Sequence, residues 1–293
     1  MSLHSCEAGG LAFTVDSKGA QLMSLRKDGR EYLWQGDPTW WPRRAPVLFP
    51  IVGNIRDDRA HSRGGEVRLG RHGLARNCEF DVLDSADGTL AFRLRSSGAT
   101  RQSFPYDFQL DMSYAATGGR LAQTFTVTNT GDSPLPFVLG GHPAFNVPVA
   151  GDEGESFSDY RLEFPRPWTY ASPRIDTSTG LLNFQDRFQL LEDADTLALT
   201  HRLFDVDTLV FEDVPGRSVR LVGPAGHGMQ VDFDGFDYLG VWSAANDAPF
   251  VALEPWTGCA TATDEDDEFE HKRGMTTLAP GERRAWSFSL MPL

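Results

Sequence analysis

The sequence predicts an all-β protein made of many short antiparallel strands. Apolar and polar residues alternate in LAFRLRS (residues 90–96), in FQLDMSY (108–114) and in FTVTNT (125–130). This period of two places one side of each strand in a core and the other side in water, as in antiparallel sheets. The 29 glycines and 18 prolines are spread along the whole chain, which indicates many short connections.

The same alternation continues to the C-terminus, in VRLVG (219–223), MQVDFDG (229–235) and WSFSLMPL (286–293). Helical periodicity is scarce. The best amphipathic helix is DTSTGLLNFQDRFQLLED (176–193), although Gly180 leaves a loop as the alternative. Strands are therefore expected to build nearly the whole fold.

The chain shows no sign of being divided into units. No repeat of fixed length and no Ser/Gly linker is visible, so we expect a single domain, residues 1–293, folded as a large β-sandwich. VAGDEGESFSD (149–159) is predicted to be a surface loop, and a division there is the less favoured alternative. GPAGHG (223–228) is predicted to be a hairpin turn with His227 exposed, and TDEDDEFE (263–270) a solvated loop.

Charge and composition exclude several classes of partner. With 27 basic and 41 acidic side chains, the formal net charge is −14. Such a chain repels phosphate backbones and anionic lipid headgroups, so nucleic acid and membranes are poor partners. No apolar run approaches the ~20 residues of a membrane span, and no signal-peptide pattern opens the sequence. Three widely spaced cysteines without a Cys-x-x-Cys pair favour a reducing cytoplasm.

The first candidate functional residue is His142, in LPFVLGGHPAFNVP (135–148). Gly140 and Gly141 are expected to leave room beside the imidazole, and Pro143 fixes the chain direction. A lone histidine is most often structural, but a rigid, partly apolar setting with one titratable group is what general acid–base catalysis requires.

A second candidate, Glu254, ends the apolar run of FVALEPWTG (250–258) and precedes Trp256. A carboxylate is costly to bury unless it is paired or neutral, so the plain alternative is a side chain that reaches solvent. Burial beside Trp256 would raise the pKa of the carboxyl towards neutrality. An aromatic ring next to a carboxylate also suits stacking on a sugar face.

Two further segments combine turns with arginines. RHGLARN (71–77) carries His72 between flanking arginines, and LFPIVGNIRDDR (48–59) contains Asn54 and Arg56. From composition alone, the first of these reads as a loop whose arginines form surface ion pairs. Its histidine becomes a candidate only in combination with the other segments.

Several familiar mechanisms find no support in the sequence. Gly-x-Ser-x-Gly, His-Glu-x-x-His and the 12-residue calcium loop are all absent. A zinc site formed by His72, His142 and Glu254 stays open, because two imidazoles and a carboxylate suit zinc and sequence spacing does not fix their distances.

Taken together, LFPIVG, RHGLAR, GGHPAFN and LEPWTG resemble segments of the aldose 1-epimerase, or galactose mutarotase-like, superfamily, in particular its lacX-type branch. The similarity runs over nearly the whole chain and includes LFDVDTLVFE, YLGVW and LAPGE. It implies a single-domain β-supersandwich of the galactose mutarotase-like type. It also implies an isomerase of carbohydrate metabolism that interconverts the α and β anomers of an aldose and requires neither cofactor nor metal.

The resemblance also implies roles for individual residues. By motif, His142 would be the general acid and Glu254 the general base, while His72 would contact sugar oxygens. An aspartate between two late strands would bind ring hydroxyls, for which Asp207 is preferred to Asp205.

The remaining implied sugar contacts are arginines and one aromatic ring. Arg71, Arg76 and Trp256 belong to the motifs already named. Arg56 is implied by its position near the first apolar run. In the galactose branch an asparagine directly precedes this arginine, whereas here Ile55 separates it from Asn54, so either residue is a candidate contact.

Two alternatives to a mutarotase of free aldoses remain. The arginines near the proposed site would suit a hexose 6-phosphate, because guanidinium groups bind phosphate through paired hydrogen bonds; they are Arg43, Arg44, Arg56, Arg71 and Arg76. The other alternative is a non-catalytic sugar-binding or sensor protein, since a fold does not fix a function. The expected partner in each case is a small-molecule sugar, and the sequence does not determine the oligomeric state.

Overall fold

The fold is described from a computed structural model that covers residues 2–83 and 86–293. The strands are, in chain order, β1 (Leu3–Ala8), β2 (Leu11–Asp16), β3 (Gln21–Lys27), β4 (Arg30–Glu31), β5 (Val47–Leu48), β6 (Arg59–Ala60), β7 (Val67–Arg68), β8 (Asp81–Leu83), β9 (Thr89–Arg95), β10 (Phe108–Thr117), β11 (Arg120–Asn129), β12 (Leu135–Phe137), β13 (Gly140–Gly141), β14 (Ala144–Asn146), β15 (Arg161–Asp176), β16 (Leu181–Ala198), β17 (Leu209–Glu212), β18 (Ser218–Val222), β19 (Gly228–Asp232), β20 (Tyr238–Trp242), β21 (Phe250–Trp256), β22 (Thr276–Leu278) and β23 (Arg283–Pro292). The helical elements are the four-residue α1 (Gly98–Arg101) and 3-10 turns at Arg56–Asp58, Ala75–Asn77, Phe157–Asp159, His201–Phe204, Pro215–Arg217 and Phe269–His271. None of the helices in these two ranges combines the length and the apolar character that crossing a bilayer requires.

Two large antiparallel sheets form a sandwich. The first has nine strands in the order β16-β15-β18-β19-β23-β11-β10-β9-β8. The second has six, in the order β17-β20-β21-β13-β5, with β14 also paired to β21. A four-stranded sheet, β1 to β4, and the pairs β12–β22 and β6–β7 complete the fold. The prediction of an all-β sandwich of many antiparallel strands is confirmed.

Alternation in the sequence has the predicted structural meaning. On β10, Phe108, Leu110, Met112 and Tyr114 are buried, and the residues between them are partly exposed. The neighbouring strands β9 and β11 pair with β10 without a shift of register. Burying one side of each strand fixes that register, because a slip of one residue would turn every apolar side chain outward.

Aromatic side chains join the two large sheets. Tyr170 on β15 stacks on Phe211 of β17, with ring centroids 5.1 Å apart. A methyl group placed on Gly141 of β13 would lie 2.6 Å from the ring of Phe288 on β23. The main cluster of buried apolar residues contains members from Leu11 to Leu290, so the layers share one core.

The helix predicted over residues 176–193 is wrong. Strands β15 and β16 form a long antiparallel hairpin instead, closed by a turn that ends at Gly180, whose φ is 72°. The pairing of the two strands shifts register at several points. These shifts break the period of two, and the resulting spacing of apolar residues resembles that of a helix.

The predicted loop at 149–159 and the predicted hairpin turn at 223–228 are confirmed, the latter joining β18 to β19. The prediction for His227 was only partly right. Its Nδ1 lies 2.9 Å from Oδ2 of Asp152, so the ring joins the two loops rather than standing free in water.

The acidic run at 263–270 is also less solvated than expected. The side chain of Glu265 keeps only 9% of its exposure and lies 3.7 Å from Nζ of Lys272, which is itself buried. Lys272 also donates to the hydroxyl of Thr261 at 2.9 Å. This buried ion pair holds the acidic run against the segment that follows it.

The glycines before His142 have a packing role that differs from the one expected. A methyl group on Gly140 would lie 2.6 Å from Cδ1 of Trp256, and one on Gly240 of β20 would overlap the same indole. With Gly141 facing Phe288, these positions make room for core rings and not for the imidazole. The indole of Trp256 therefore lies between two strands at points where neither carries a side chain.

Replacing Gly140 by alanine should lower the free energy of unfolding by about 1–3 kcal/mol, the usual cost of forcing an added carbon into a packed core. Urea denaturation of both proteins measures the change. Gly98→Ala is the matched control, since a methyl group there meets no atom within 4 Å, and it should change stability by less than ~0.5 kcal/mol. Equal effects of the two substitutions would contradict this account of the packing.

Candidate active site

Strand pairing in the six-stranded sheet brings His142 and Glu254 together. Gly140 of β13 faces Trp256 of β21, and β14 resumes the same antiparallel register after the break at His142. This register sets His142 opposite Glu254. The glutamate lies within β21, which continues to Trp256, rather than at the strand end as expected.

The two side chains touch in a buried position. His142 Nε2 lies 3.2 Å from Glu254 Oε1, with the two residues 6% and 1% exposed. Trp256 Nε1 donates to the other carboxyl oxygen, Oε2, at 3.3 Å. The carboxyl group is therefore held between an indole donor and an imidazole, both anchored by the sheet.

Burial drives both members of the pair towards their neutral forms. It raises the pKa of Glu254 well above its ordinary value, a shift to which the charge of Asp207 adds. It lowers the pKa of His142 to about 3, an effect strengthened by the nearby arginine charges. Because charging either group alone is costly, the pair holds one proton over a wide range of pH. A single shared proton can be passed across the 3.2 Å contact in either direction.

Two tryptophans that the sequence analysis did not select surround the imidazole. Trp41 stacks on His142 with ring centroids 4.8 Å apart and planes 24° apart. Trp242 meets the same imidazole edge-on at 5.6 Å. Both tryptophans are partly exposed and line the pocket. The sequence signal that could have identified Trp41 is the pair of adjacent tryptophans in PTWWPRR, an apolar cluster in a loop.

Trp256 lines the pocket, and the stacking role expected for it stays a prediction. It is only 5% exposed and donates its N–H to Glu254. Trp41 and Trp242 line the same pocket and are more exposed than Trp256.

His72 enters the site from a tight turn docked on the sandwich. Its φ is 66°, and Gly73 follows at 71°, where an added methyl group would overlap the carbonyl of Phe49. The N–H of Gly53 donates to His72 Nδ1 at 3.1 Å. Burial and the charge of a protonated His142 lower the pKa of His72 well below its usual value, so the ring stays neutral. With Nδ1 accepting, the proton resides on Nε2, which is left as a donor.

These groups line a pocket of about 260 Å³. Ligand pockets for drug-sized molecules span roughly 300–1,000 Å³, so this one suits a smaller guest. Besides the His142–Glu254 pair, the pocket gathers the predicted residues His72, Arg71, Arg76, Asp207 and Trp256. Asn54, Thr208 and the tip of the β15–β16 hairpin at Ile175, Gly180 and Leu182 also line it. The hairpin is not evident from the sequence because its register shifts interrupt the two-residue alternation of a strand.

Of the alternatives at Asp205 and Asp207, the structure brings Asp207 to the pocket, with its carboxylate accepting from the hydroxyl of Thr208 at 2.8 Å. The side chain of Asn54 also faces the pocket and accepts from Arg71 Nε at 3.0 Å.

The structure does not bring Arg56 to the pocket. Its guanidinium forms a bond of 3.0 Å with Asp267 and donates to the carbonyls of Ala262 and Glu265. These contacts occupy the N–H donors of Arg56 and hold the acidic run at 263–270 in place. The expectation that Arg56 binds a ligand is therefore corrected. Asn54 and Arg71 occupy that side of the pocket instead.

The arrangement of the side chains also does not support the zinc alternative. Across residues 2–83 and 86–293, no group of three or more His, Cys, Asp or Glu side chains is arranged to hold a metal ion. Nδ1 of His72 is already engaged by the Gly53 amide, and His142 and Glu254 bond to each other.

The β-sandwich fold is that of galactose mutarotase-like proteins. The chain belongs to the aldose 1-epimerase family, whose sequence model matches residues 2–290. It is 37% identical over 280 residues to protein LacX of Lactococcus lactis subsp. lactis, covering 93% of each chain.

Two solved structures have the same fold and are 30% identical in sequence. One is a galactose mutarotase related enzyme from Lactobacillus acidophilus, with a TM-score of 0.93, covering 100% of this chain and 97% of that one. The other is a galactose mutarotase-like protein from Lactobacillus casei, with a TM-score of 0.90 and full coverage of both chains.

Replacing Glu254 by glutamine should stabilise the protein increasingly as the pH rises. The folded-state pKa of Glu254 lies above its ordinary value of 4.5, so the wild type loses stability as pH rises from 4.5 through the folded-state pKa. Glutamine does not titrate, and its amide can accept from Trp256 and donate to His142 as the protonated acid does. Urea unfolding at pH 5 and pH 8 should show a growing advantage for the variant, at most ~1.4 kcal/mol per pH unit.

The matched control is Glu153→Gln at an exposed glutamate, which should show no such trend. A difference between Glu254→Gln and wild type that stays constant with pH would mean that Glu254 is ionised in the folded protein.

Proposed function

We propose that this protein is an aldose 1-epimerase that interconverts the α and β anomers of an aldose without a cofactor, the whole chain acting as one domain. The observation that carries the proposal is the buried contact of 3.2 Å between His142 Nε2 and Glu254 Oε1 inside the pocket. Its support is the presence of this pair in a chain of the aldose 1-epimerase family.

The chemistry requires one base and one acid. A cyclic aldose is a hemiacetal, and changing its anomer means breaking and remaking the bond between C1 and the ring oxygen. Glu254, as carboxylate, takes the proton from the hydroxyl on C1, while His142, as imidazolium, donates a proton to the ring oxygen. The open-chain aldehyde turns about the C1–C2 bond and closes on its other face, with both transfers reversed. Each positioned transfer typically contributes about 10²- to 10⁴-fold in rate.

The shared proton fits this cycle. Ring opening starts from Glu254 carboxylate with His142 imidazolium and ends with Glu254 acid and neutral His142. Ring closure starts from the neutral pair and returns the ion pair. Both states hold the same number of protons, so the enzyme needs no exchange with solvent during turnover. Burial favours the neutral pair, whereas the hydrogen bond from Trp256 and the charge of Arg71 favour the carboxylate.

The other pocket groups hold the ring. His72 offers its Nε2 proton to a sugar oxygen, Asp207 accepts from ring hydroxyls, and the rings of Trp41 and Trp242 supply apolar contacts for the C–H surface of the sugar.

Proton NMR saturation transfer between the α and β anomeric signals is the direct test, with glucose, galactose, xylose and glucose 6-phosphate at neutral pH. The wild type should accelerate exchange for at least one sugar. Glu254→Gln and His142→Gln should each reduce that acceleration at least ~10²-fold, the typical contribution of one proton transfer. Sugar affinity should change little in Glu254→Gln, because the substitution is close in shape.

Trp168→Phe, at a partly buried tryptophan outside the pocket, is a control that should retain wild-type exchange. Sugar binding with no acceleration in the wild type would instead support a non-catalytic sensor.

The pH dependence of kcat/KM should reflect a pair that shares one proton. Activity should remain flat through pH 6.5, the ordinary histidine pKa, and fall only towards the acid value of about 3, where His142 takes a second proton. An alkaline fall is expected well above 4.5, where the pair loses its only proton. An acid limb centred near 6.5, in protein shown by circular dichroism to be folded, would mean that His142 titrates independently.

A further inference from the structure

Lys272 is a buried basic residue that the proposed reaction does not use. It is 5% exposed, and its Nζ donates to the hydroxyl of Thr261 at 2.9 Å and to the carbonyl of Cys259 at 3.3 Å. The carboxylate of Glu265, whose side chain is also nearly buried, lies 3.7 Å from the same nitrogen. Burial lowers the pKa of Lys272, so the fold holds this charged amine at a cost in free energy.

The stability of the fold does not explain this buried ion pair. Replacing such a pair by uncharged residues of similar volume is often neutral or stabilising. What an uncharged side chain of the same length lacks is the set of N–H donors that an ammonium group directs at its acceptors. The contacts of Lys272 therefore indicate a role in holding the segment of Thr261 in one position.

Thr261 connects the amine of Lys272 to two parts of the pocket. It is 2% exposed and lies behind the pocket lining. Its N–H donates to the carbonyl of Asn54 at 2.9 Å, and its carbonyl accepts from the N–H of Leu182 at 3.0 Å. Asn54 and Leu182 both line the pocket, Leu182 from the β15–β16 hairpin. The hydroxyl, the N–H and the carbonyl of Thr261 thus join Lys272 to two pocket-lining residues.

The preceding residue, Ala260, adds a third contact with the pocket. It lines the pocket, and a methyl group on Gly53 would lie 2.5 Å from its Cβ, so the two residues are in close contact. The N–H of Gly53 in turn donates to Nδ1 of His72 at 3.1 Å. The position of the His72 ring therefore depends on where Ala260 lies. The binding wall is the name used below for Gly53, Asn54, Leu182 and Ala260.

The His142–Glu254 pair is held independently of the binding wall. Its two residues are placed by the pairing of β13 and β14 with β21, in which Lys272 takes no part. A displaced wall would therefore weaken the binding of a ligand and leave the 3.2 Å contact within the pair unchanged.

We propose that Lys272 is a positioning residue that acts through Thr261 and holds the binding wall at the distance from the His142–Glu254 pair that a sugar ring requires. This inference rests on the proposed function. Lys272 touches no substrate and transfers no proton. Its effect is on the sugar contacts of Asn54 and of His72, which the wall carries.

Thr261→Val and Thr261→Ser test the connection with little change in shape. Valine lacks the hydroxyl that accepts from Lys272, whereas serine keeps it. The substrate is the sugar that the wild type turns over fastest in the anomer-exchange assay. Thr261→Val should raise KM at least about fivefold, as for one misplaced hydrogen bond to the ligand, and change kcat less than about twofold. Thr261→Ser should keep KM within about twofold of the wild-type value.

A second set of variants separates positioning from stability. Lys272→Met should lower the urea midpoint, because Glu265 is left buried without its partner. Adding Glu265→Gln removes that charge and should recover most of the lost stability, while KM stays at least about fivefold above the wild-type value. Lys27→Met is the matched control, since it removes an amine that donates to the carbonyl of Pro292 outside the pocket, and it should change neither KM nor kcat.

Amide hydrogen exchange followed by NMR gives a readout that does not depend on activity. In Thr261→Val, the amide protons of Thr261 and Leu182 should exchange faster than in the wild type. The factor should exceed that for Leu239 and Leu253, two buried residues of the six-stranded sheet, because the opening is local to the wall.

The outcomes separate this inference from the proposed function. An unchanged KM in Thr261→Val, a KM that recovers together with stability in the double variant, or equal acceleration of all four amides would overturn the positioning role and leave the epimerase standing. If the folded wild type accelerates exchange for none of the sugars while the wall amides of Thr261→Val alone exchange faster, the epimerase is overturned. The attachment of the binding wall to Lys272 then stands.

Discussion

The site depends on one register in the six-stranded sheet. Strands β13 and β14 both pair with β21, on either side of a break at His142 and Pro143. This pairing sets His142 opposite Glu254. Pro143 contributes a carbonyl, which accepts from the N–H of Leu253 at 3.0 Å, and so keeps the break attached to the sheet. The imidazole and the carboxyl thus meet through backbone pairing rather than through flexible loops. Rigid placement of this kind is what proton transfer between fixed groups requires.

Burying a carboxyl and an imidazole inside a sandwich costs free energy, and the packing around them offsets that cost. The glycines at 140 and 240 give the indole of Trp256 its place, and that indole in turn holds the Glu254 carboxyl. The same burial that raises the pKa of one group and lowers that of the other is therefore a property of the core. The packing of the fold and the shifted pKa values of the pair are therefore set by the same contacts.

The sequence was informative wherever a local pattern determines structure. Alternation predicted the strands, and motifs named His142, Glu254 and His72 because each sits in a short segment whose turn or strand fixes its position. It was uninformative where distant segments meet. Trp41 joins the site by stacking on His142 from a loop about one hundred positions earlier, and Arg56 is drawn away by Asp267. The irregular β15–β16 hairpin also escaped, because its register shifts erase the two-residue period.

The hairpin tip at Gly180 bears on how such a protein changes over evolutionary time. The His142–Glu254 pair lies in the ladder of the sheet, where adding or removing a residue would turn its side chains to the opposite face. The hairpin tip, the Trp41 loop and the turn that carries Arg71 are connections, in which insertions cost little. Selection can therefore reshape the mouth of the pocket without moving the His142–Glu254 pair.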